Sequence, residues 1–180
     1  MHRGGADSLD ISADLIELSR TPIAVVCAGA KSILDLARTL ELLETLGVPV
    51  VGYRCDRFPA FFCRDSGLRL ELRVDEPSEA AALVAAQRRL GLDGGIVVAQ
   101  PVAEEKALDE RETEAWIERA LSEAERAGIE GKKVTPWLLA RLTELSDGRT
   151  LEANVALLLA NAELAARIAV AEATARSAEP

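Results

Sequence analysis

The stretch Pro22-Ile-Ala-Val-Val-Cys27, Ala28-Gly-Ala-Lys-Ser32, Ile33-Leu-Asp-Leu36 decides the fold. Its first part is a short, near-continuous apolar run, the mark of a strand buried on both faces. Gly29 and Ala30 break the run. Ser32 then stands where a helix N-cap is expected, with Asp35 three residues on, close to a capping box. The helix is expected to run through Leu34, Leu36, Leu40, Leu43 and Leu46 and to stop at Gly47. A buried strand, a turn carrying a lysine and an amphipathic helix make one unit of an α/β layer.

Outward from it the alternation continues. Val48-Pro-Val-Val-Gly-Tyr53 reads as the next strand, starting at Pro49. Leu68, Leu70, Leu72 and Val74 alternate with Arg69, Glu71 and Arg73, the pattern of a half-exposed edge strand. Pro77 opens an alanine-rich helix that ends at Gly91, and Gly95-Ile-Val-Val-Ala99 is another buried strand. Asp109 with Glu112 begins a helix ending near Gly128; Thr135-Pro136 begins another, carrying Leu138, Leu139, Leu142 and Leu145; the last begins near Thr150. The expectation is a single α/β domain over residues 1–180, three-layer α/β/α with a mainly parallel or mixed sheet, and a helical C-terminal third packed back on it.

Composition narrows the function classes. The 180 residues are 49% hydrophobic and 28% charged, which excludes a disordered chain. A net charge of −9 argues against nucleic acid or an anionic membrane as partner. Cys27, Cys55 and Cys63 form no CxxC pair, and with His2 as the one histidine they build no zinc finger, so they read as reduced thiols of a cytosolic protein. The first residues have no apolar signal region. Val155–Ala173 is apolar but interrupted by Asn161, Glu163, Arg167 and Glu172, which reads as a packed helix rather than a membrane span. A soluble, cytoplasmic chain is expected.

Three segments are candidates for chemistry. Lys31 lies in the turn between a buried strand and a helix start, where open α/β sheets place ligands. The positive helix end there disfavours an ammonium and favours an anion or an amine nucleophile; the bland alternative is a solvated loop lysine. A phosphate loop is excluded, because Ala30 and Val25 stand where that motif needs glycine. Asp7, Asp10, Ser12 and Asp14 offer hard oxygen ligands for Mg²⁺ or Mn²⁺, or, through Asp10 or Ser12, only a helix cap. Asn154 and Asn161 share one face of the last helix, lining a groove, or else exposed or satisfied within the core. Trp116 and Trp137 sit among helical apolar residues and read as core.

The segment Cys27-Ala-Gly-Ala-Lys-Ser-Ile-Leu-Asp35 also resembles the pseudouridine-5′-phosphate glycosidases, the indigoidine-synthase-A-like family. The likeness extends in order through Asp10–Leu15, Gly47–Tyr53, Phe58–Phe62, Leu92–Gly95, Val134–Pro136, Leu138–Arg141 and Leu151–Asn154. It implies that Lys31 forms a Schiff base with C1′ of ring-opened ribose 5-phosphate, that Asp10 binds Mn²⁺, and that Ser12, Ala13, Asp14, Asn154 and His2 line the substrate site. The implied reaction is the reversible cleavage of pseudouridine 5′-phosphate to uracil and ribose 5-phosphate by a homotrimer. The family pattern begins well upstream of Met1, and the glutamate taken as proton donor and a second substrate-binding lysine belong to that upstream part. A catalytically incomplete fragment, or a chain that needs a complementary N-terminal chain, is therefore the alternative expectation. Gln100 before Pro101 stands where the family usually has asparagine.

Overall fold

The computed structural model describes residues 11–31 and 33–177. In chain order the elements are α1 (Ala13–Leu18), β1 (Ala24–Cys27), α2 (Leu36–Thr45), β2 (Val50–Tyr53), β3 (Leu72–Val74), α3 (Pro77–Arg89), β4 (Ile96–Ala99), α4 (Glu110–Arg126), α5 (Val134–Leu145) and α6 (Arg149–Ser177), with 3₁₀ turns at Glu104–Lys106 and Gly131–Lys133. The strands form one parallel sheet in the order β1-β4-β2-β3. The apolar runs lie where the burial is greatest: every residue of the interior strand β4 is buried, with Val97 opposite Val25 and Val98 opposite Val51.

The connections fix the layers. The crossover from β1 to β2 and the one from β3 to β4 run in opposite directions across the sheet. Parallel crossovers are right-handed, so their helices fall on opposite faces. Accordingly Leu15 of α1 and Leu43 of α2 pack with Val48 and Val97. On the other face, Ala80, Ala81 and Val84 of α3 and Leu164 and Ile168 of α6 pack with Val51, Tyr53, Val74 and Val98. This is the expected α/β/α sandwich.

Three expectations need correction. The cap of α2 is Asp35, whose carboxylate accepts from the Arg38 amide, not Ser32. The edge strand is only Leu72–Val74, because Leu68 and Leu70 turn in to pack around Phe58, with Phe58 N donating to Leu68 O at 2.8 Å and Leu70 N to Asp56 O at 2.9 Å. Of the last three helices only α6 lies on the sheet. Ile117 of α4 and Leu138 and Leu142 of α5 instead enclose Phe62, Ile33 and Ala153, a core at the carboxyl edge of the strands. Trp116 and Trp137 are half-buried against that core, and Arg149 lies 4.7 Å over the Trp116 ring.

By length and composition α6 could cross a membrane. Its Leu157, Leu164 and Ile168 are buried by the sheet side of the molecule, while Leu151, Val155, Leu158 and Leu159 are exposed.

An ion-pair network ties α4 to α5. Glu123 accepts from Arg119 Nε at 3.0 Å and from Arg141 Nε at 2.5 Å, and Arg141 also reaches Glu144. The hydrogen bonds from Arg141, then those from Arg119, pull the Glu123 carboxyl down to about 2. A carboxyl with a depressed folded-state pKa contributes stability that is present above its unfolded pKa, about 4.3, and lost as pH falls through the folded value. Urea midpoints should therefore decline as pH drops from about 4.5 toward 2. In Glu123→Gln that decline should be shallower than in the parent; equal slopes would show that the network does not couple to folding.

Candidate active site

The reversal of strand order makes the carboxyl ends of β1 and β4 the topological switch point of the sheet, the location at which open α/β sheets take ligands. Gln100 N donates to Cys27 O at 2.8 Å, so the two strands stay paired to their ends and only then part. The chain leaving β1 turns toward α2 and carries the half-buried Lys31 four residues beyond Cys27.

Both sides of that turn are held. Gly29 has φ of +80° and forms an antiparallel bridge with Ala60, and Phe61 N donates to Ala28 O at 3.0 Å. A Cβ at Gly29 would lie 1.8 Å from Pro59 O, so glycine is required twice over, by dihedral and by contact. Phe61 itself has φ of +61°, an uncommon conformation for a bulky residue and one that clusters at functional sites. Beyond the lysine, Leu34 N donates to Lys31 O at 2.8 Å and Ile33 is buried in the carboxyl-edge core. Lys31 thus sits on a short span anchored at both ends.

Asn154 comes to the same place from α6. Its neighbour Ala153 shares a core with Ile33, and Leu157, one turn on, packs with Ala28 and Val102. Asn154 is half-buried within α6, and its side chain makes no hydrogen bond to the described residues. Asn161 follows two turns later, its Oδ1 buried and unpartnered.

Ser12 is the N-cap of α1: its Oγ accepts from Asp14 N at 3.3 Å and donates to Asp14 Oδ2 at 3.0 Å. Ser12, Ala13 and Asp14 are exposed. The far end of α1 abuts the amino end of β4, with Gly95 N donating to Leu18 O at 2.6 Å. The chain then enters β1 at Ala24. His2 and Asp10 lie outside the described residues. Among the described residues no three carboxylate, histidine or thiol groups converge into a metal cage.

The helix end that was expected beside Lys31 is further along the chain and is taken by Asp35. Cys27, the other nucleophilic type in the segment, is a poor rival, since burial pushes its thiol up and disfavours the thiolate. The Pro59–Phe61 buttress was not foreseen as part of the site. Its signal was present in the apolar Phe58-Pro-Ala-Phe-Phe62 run, which fits neither a helical nor a strand period.

The pattern of indigoidine synthase A-like proteins matches residues 1–171. A pseudouridine-5′-phosphate glycosidase of Methylobacterium nodulans is 59% identical over 180 residues, 100% of this chain and 53% of its own. One of Caldanaerobacter subterraneus subsp. tengcongensis is 53% identical over 170 residues, 94% of this chain and 55% of its own. The crystal structure of a prealnumycin C-glycosynthase in complex with ribulose 5-phosphate is similar with a TM-score of 0.91 and 38% identity, covering 99% of this chain and 59% of that one. An indigoidine synthase A-like protein from Thermotoga maritima gives a TM-score of 0.84 at 41% identity, over 94% and 55% of the two chains. The chain spans about half the length of the curated relatives it matches.

Proposed function

The chain belongs to the indigoidine synthase A-like family, and on that premise we propose that it is the lysine-bearing part of a pseudouridine-5′-phosphate glycosidase, an enzyme that reversibly converts pseudouridine 5′-phosphate and water to uracil and ribose 5-phosphate. The observation that supports this reading is the anchored turn that carries Lys31 at the carboxyl end of β1, in a chain 59% identical to a glycosidase of that name.

The chemistry demands such a group. A carbon–carbon glycosidic bond has no heteroatom leaving group to protonate, unlike the bonds cut by paired carboxylates. An amine supplies the missing electron sink. In the synthetic direction the Lys31 amine adds to the C1′ aldehyde of ring-opened ribose 5-phosphate, and loss of water leaves an iminium. Attack on C1′ by C5 of uracil, with loss of the C5 proton, makes the new bond; ring closure then expels the lysine. In cleavage the same steps run backwards. Asn154, beside the turn, is assigned to hold substrate, as are Ser12, Ala13, Asp14 and His2.

Mn²⁺ is assigned to Asp10, where it would supply a positive charge for orienting the sugar phosphate. The described residues, which do not include Asp10, contain no cage of three ligating groups. The general acid, a trimeric assembly and a cytoplasmic location belong to this proposal as well.

A second reading, a half-site completed by a complementary N-terminal chain, is favoured by the exposed apolar Leu151, Val155, Leu158 and Leu159 on α6. One assay separates the two. The purified chain is incubated with Mn²⁺, uracil and ribose 5-phosphate, and pseudouridine 5′-phosphate is sought. Product means that the chain suffices; no product, with a borohydride-trapped adduct on Lys31, means a half-site. Neither product nor adduct would overturn both.

A further inference from the structure

A second cleft opens on the face of the sheet opposite α2, between the carboxyl ends of β2 and β4 and the middle of α6. Its volume is about 300 Å³, and its polar lining is Tyr53, Arg54, Arg64, Gln100, Glu163 and Arg167. Lys31 is not part of it. Tyr53 is only 6% exposed, yet its hydroxyl has no hydrogen-bond partner. A buried, unpaired hydroxyl is costly and calls for an explanation.

The charges around that hydroxyl are unevenly employed. Arg54, with φ of +55°, spends its guanidinium on Asp75 O at 2.8 Å and Glu76 Oε1 at 3.0 Å, and lies over the Tyr53 ring at 5.2 Å. Arg64 gives one nitrogen to Val102 O and keeps its other donors. Arg167 makes no ion pair among the described residues, nor does Glu163 one turn before it. Free guanidinium donors match a phosphate group in fork geometry. A carboxylate, an amide and a phenol at the same wall match hydroxyl groups, not a second anion.

We propose that this cleft is a separate binding site for a small phosphate monoester carrying hydroxyls, its phosphate held by Arg64 and Arg167 and its hydroxyls by Tyr53, Gln100 and Glu163. The site does not depend on the reading of Lys31.

The probes are inorganic phosphate and ribose 5-phosphate, titrated calorimetrically into the full chain carrying Lys31→Ala, which removes covalent capture at the other site and leaves the Arg167 substitution to identify binding in this cleft. Ribose 5-phosphate should bind saturably and more tightly than phosphate. Added Arg167→Ala should weaken it about tenfold, the scale of one charge-assisted contact. Added Tyr53→Phe should weaken it several-fold without lowering the thermal midpoint, since it deletes only an atom that is unpaired in the free protein. Borohydride trapping on Lys31 should be untouched by Arg167→Ala in the parent. No saturable binding, equal affinity for the two probes, or an affinity that either substitution leaves unchanged would overturn the proposal. Each of those failures leaves the Lys31 assignment standing, because trapping is read separately.

Discussion

Lys31→Ala will leave no borohydride-stable adduct with ribose 5-phosphate, while the parent chain gains the mass of one reduced sugar phosphate. Where turnover is measurable it should fall roughly a thousandfold or more, since deleting a covalent nucleophile removes the intermediate itself rather than one of its stabilising contacts. Lys31→Arg separates charge from nucleophilicity: it keeps a cation in the turn and should be equally inert, because a guanidinium stays protonated. Both variants should fold normally. The turn is held from outside the lysine, by Gly29 and Ala28 against Pro59–Phe61 and by the buried Ile33, and none of these anchors uses the Lys31 side chain. Intact-mass spectra decide the matter. Labelling of Lys31→Ala as heavy as that of the parent would move the nucleophile to Lys106, Lys132 or Lys133, the other lysines of the chain, and the mechanism given above would fall.

Gly29→Ala will be the most damaging single methyl in the turn. Its Cβ would stand 1.8 Å from Pro59 O, a backbone atom that no rotamer change can move aside. The residue also has φ of +80°, which costs a non-glycine residue about 1–2 kcal/mol. Overpacking adds about 1–3 kcal/mol. Together these make about 2–5 kcal/mol, a large share of the roughly 5–15 kcal/mol that a domain possesses. The melting temperature should drop by roughly 5–15 °C on the scale of a domain this size. Gly47→Ala is the matched control. Its φ is +71°, but nothing lies within 4 Å of the added atom, so it meets the dihedral cost alone. If the two variants melt together, the Gly29–Pro59 approach is not closed in solution. Because the clash must push the turn off its buttress, Gly29→Ala should also lose Lys31 trapping in whatever fraction remains folded, whereas Gly47→Ala should keep it.

The alternation of apolar runs with amphipathic ones was enough to find the four strands and the helices, and the apolar β4 already read as an interior strand. It was enough, too, to place Lys31 in the turn that leaves the carboxyl end of β1. These features depend on the period of burial along a few consecutive residues, and a chain displays that period directly. Capping at α2 was ambiguous, because Ser32 and Asp35 are both good caps; the choice fell to Asp35, whose carboxylate reaches the Arg38 amide. The strand expected from Leu68 was cut to its last three residues because Leu68 and Leu70 are worth more against Phe58 than in a ladder. Nothing local states that Ala153, next to Asn154, shares a core with Ile33 more than a hundred residues earlier, that Pro59 closes on Gly29, or that the Tyr53 hydroxyl is buried without a partner. Those juxtapositions join residues far apart in the chain, and they follow from the strand order β1-β4-β2-β3 and from where α6 settles on the sheet. Local periodicity carries no record of which buried surface pairs with which, so the place of the turn was legible while the walls around it came from packing.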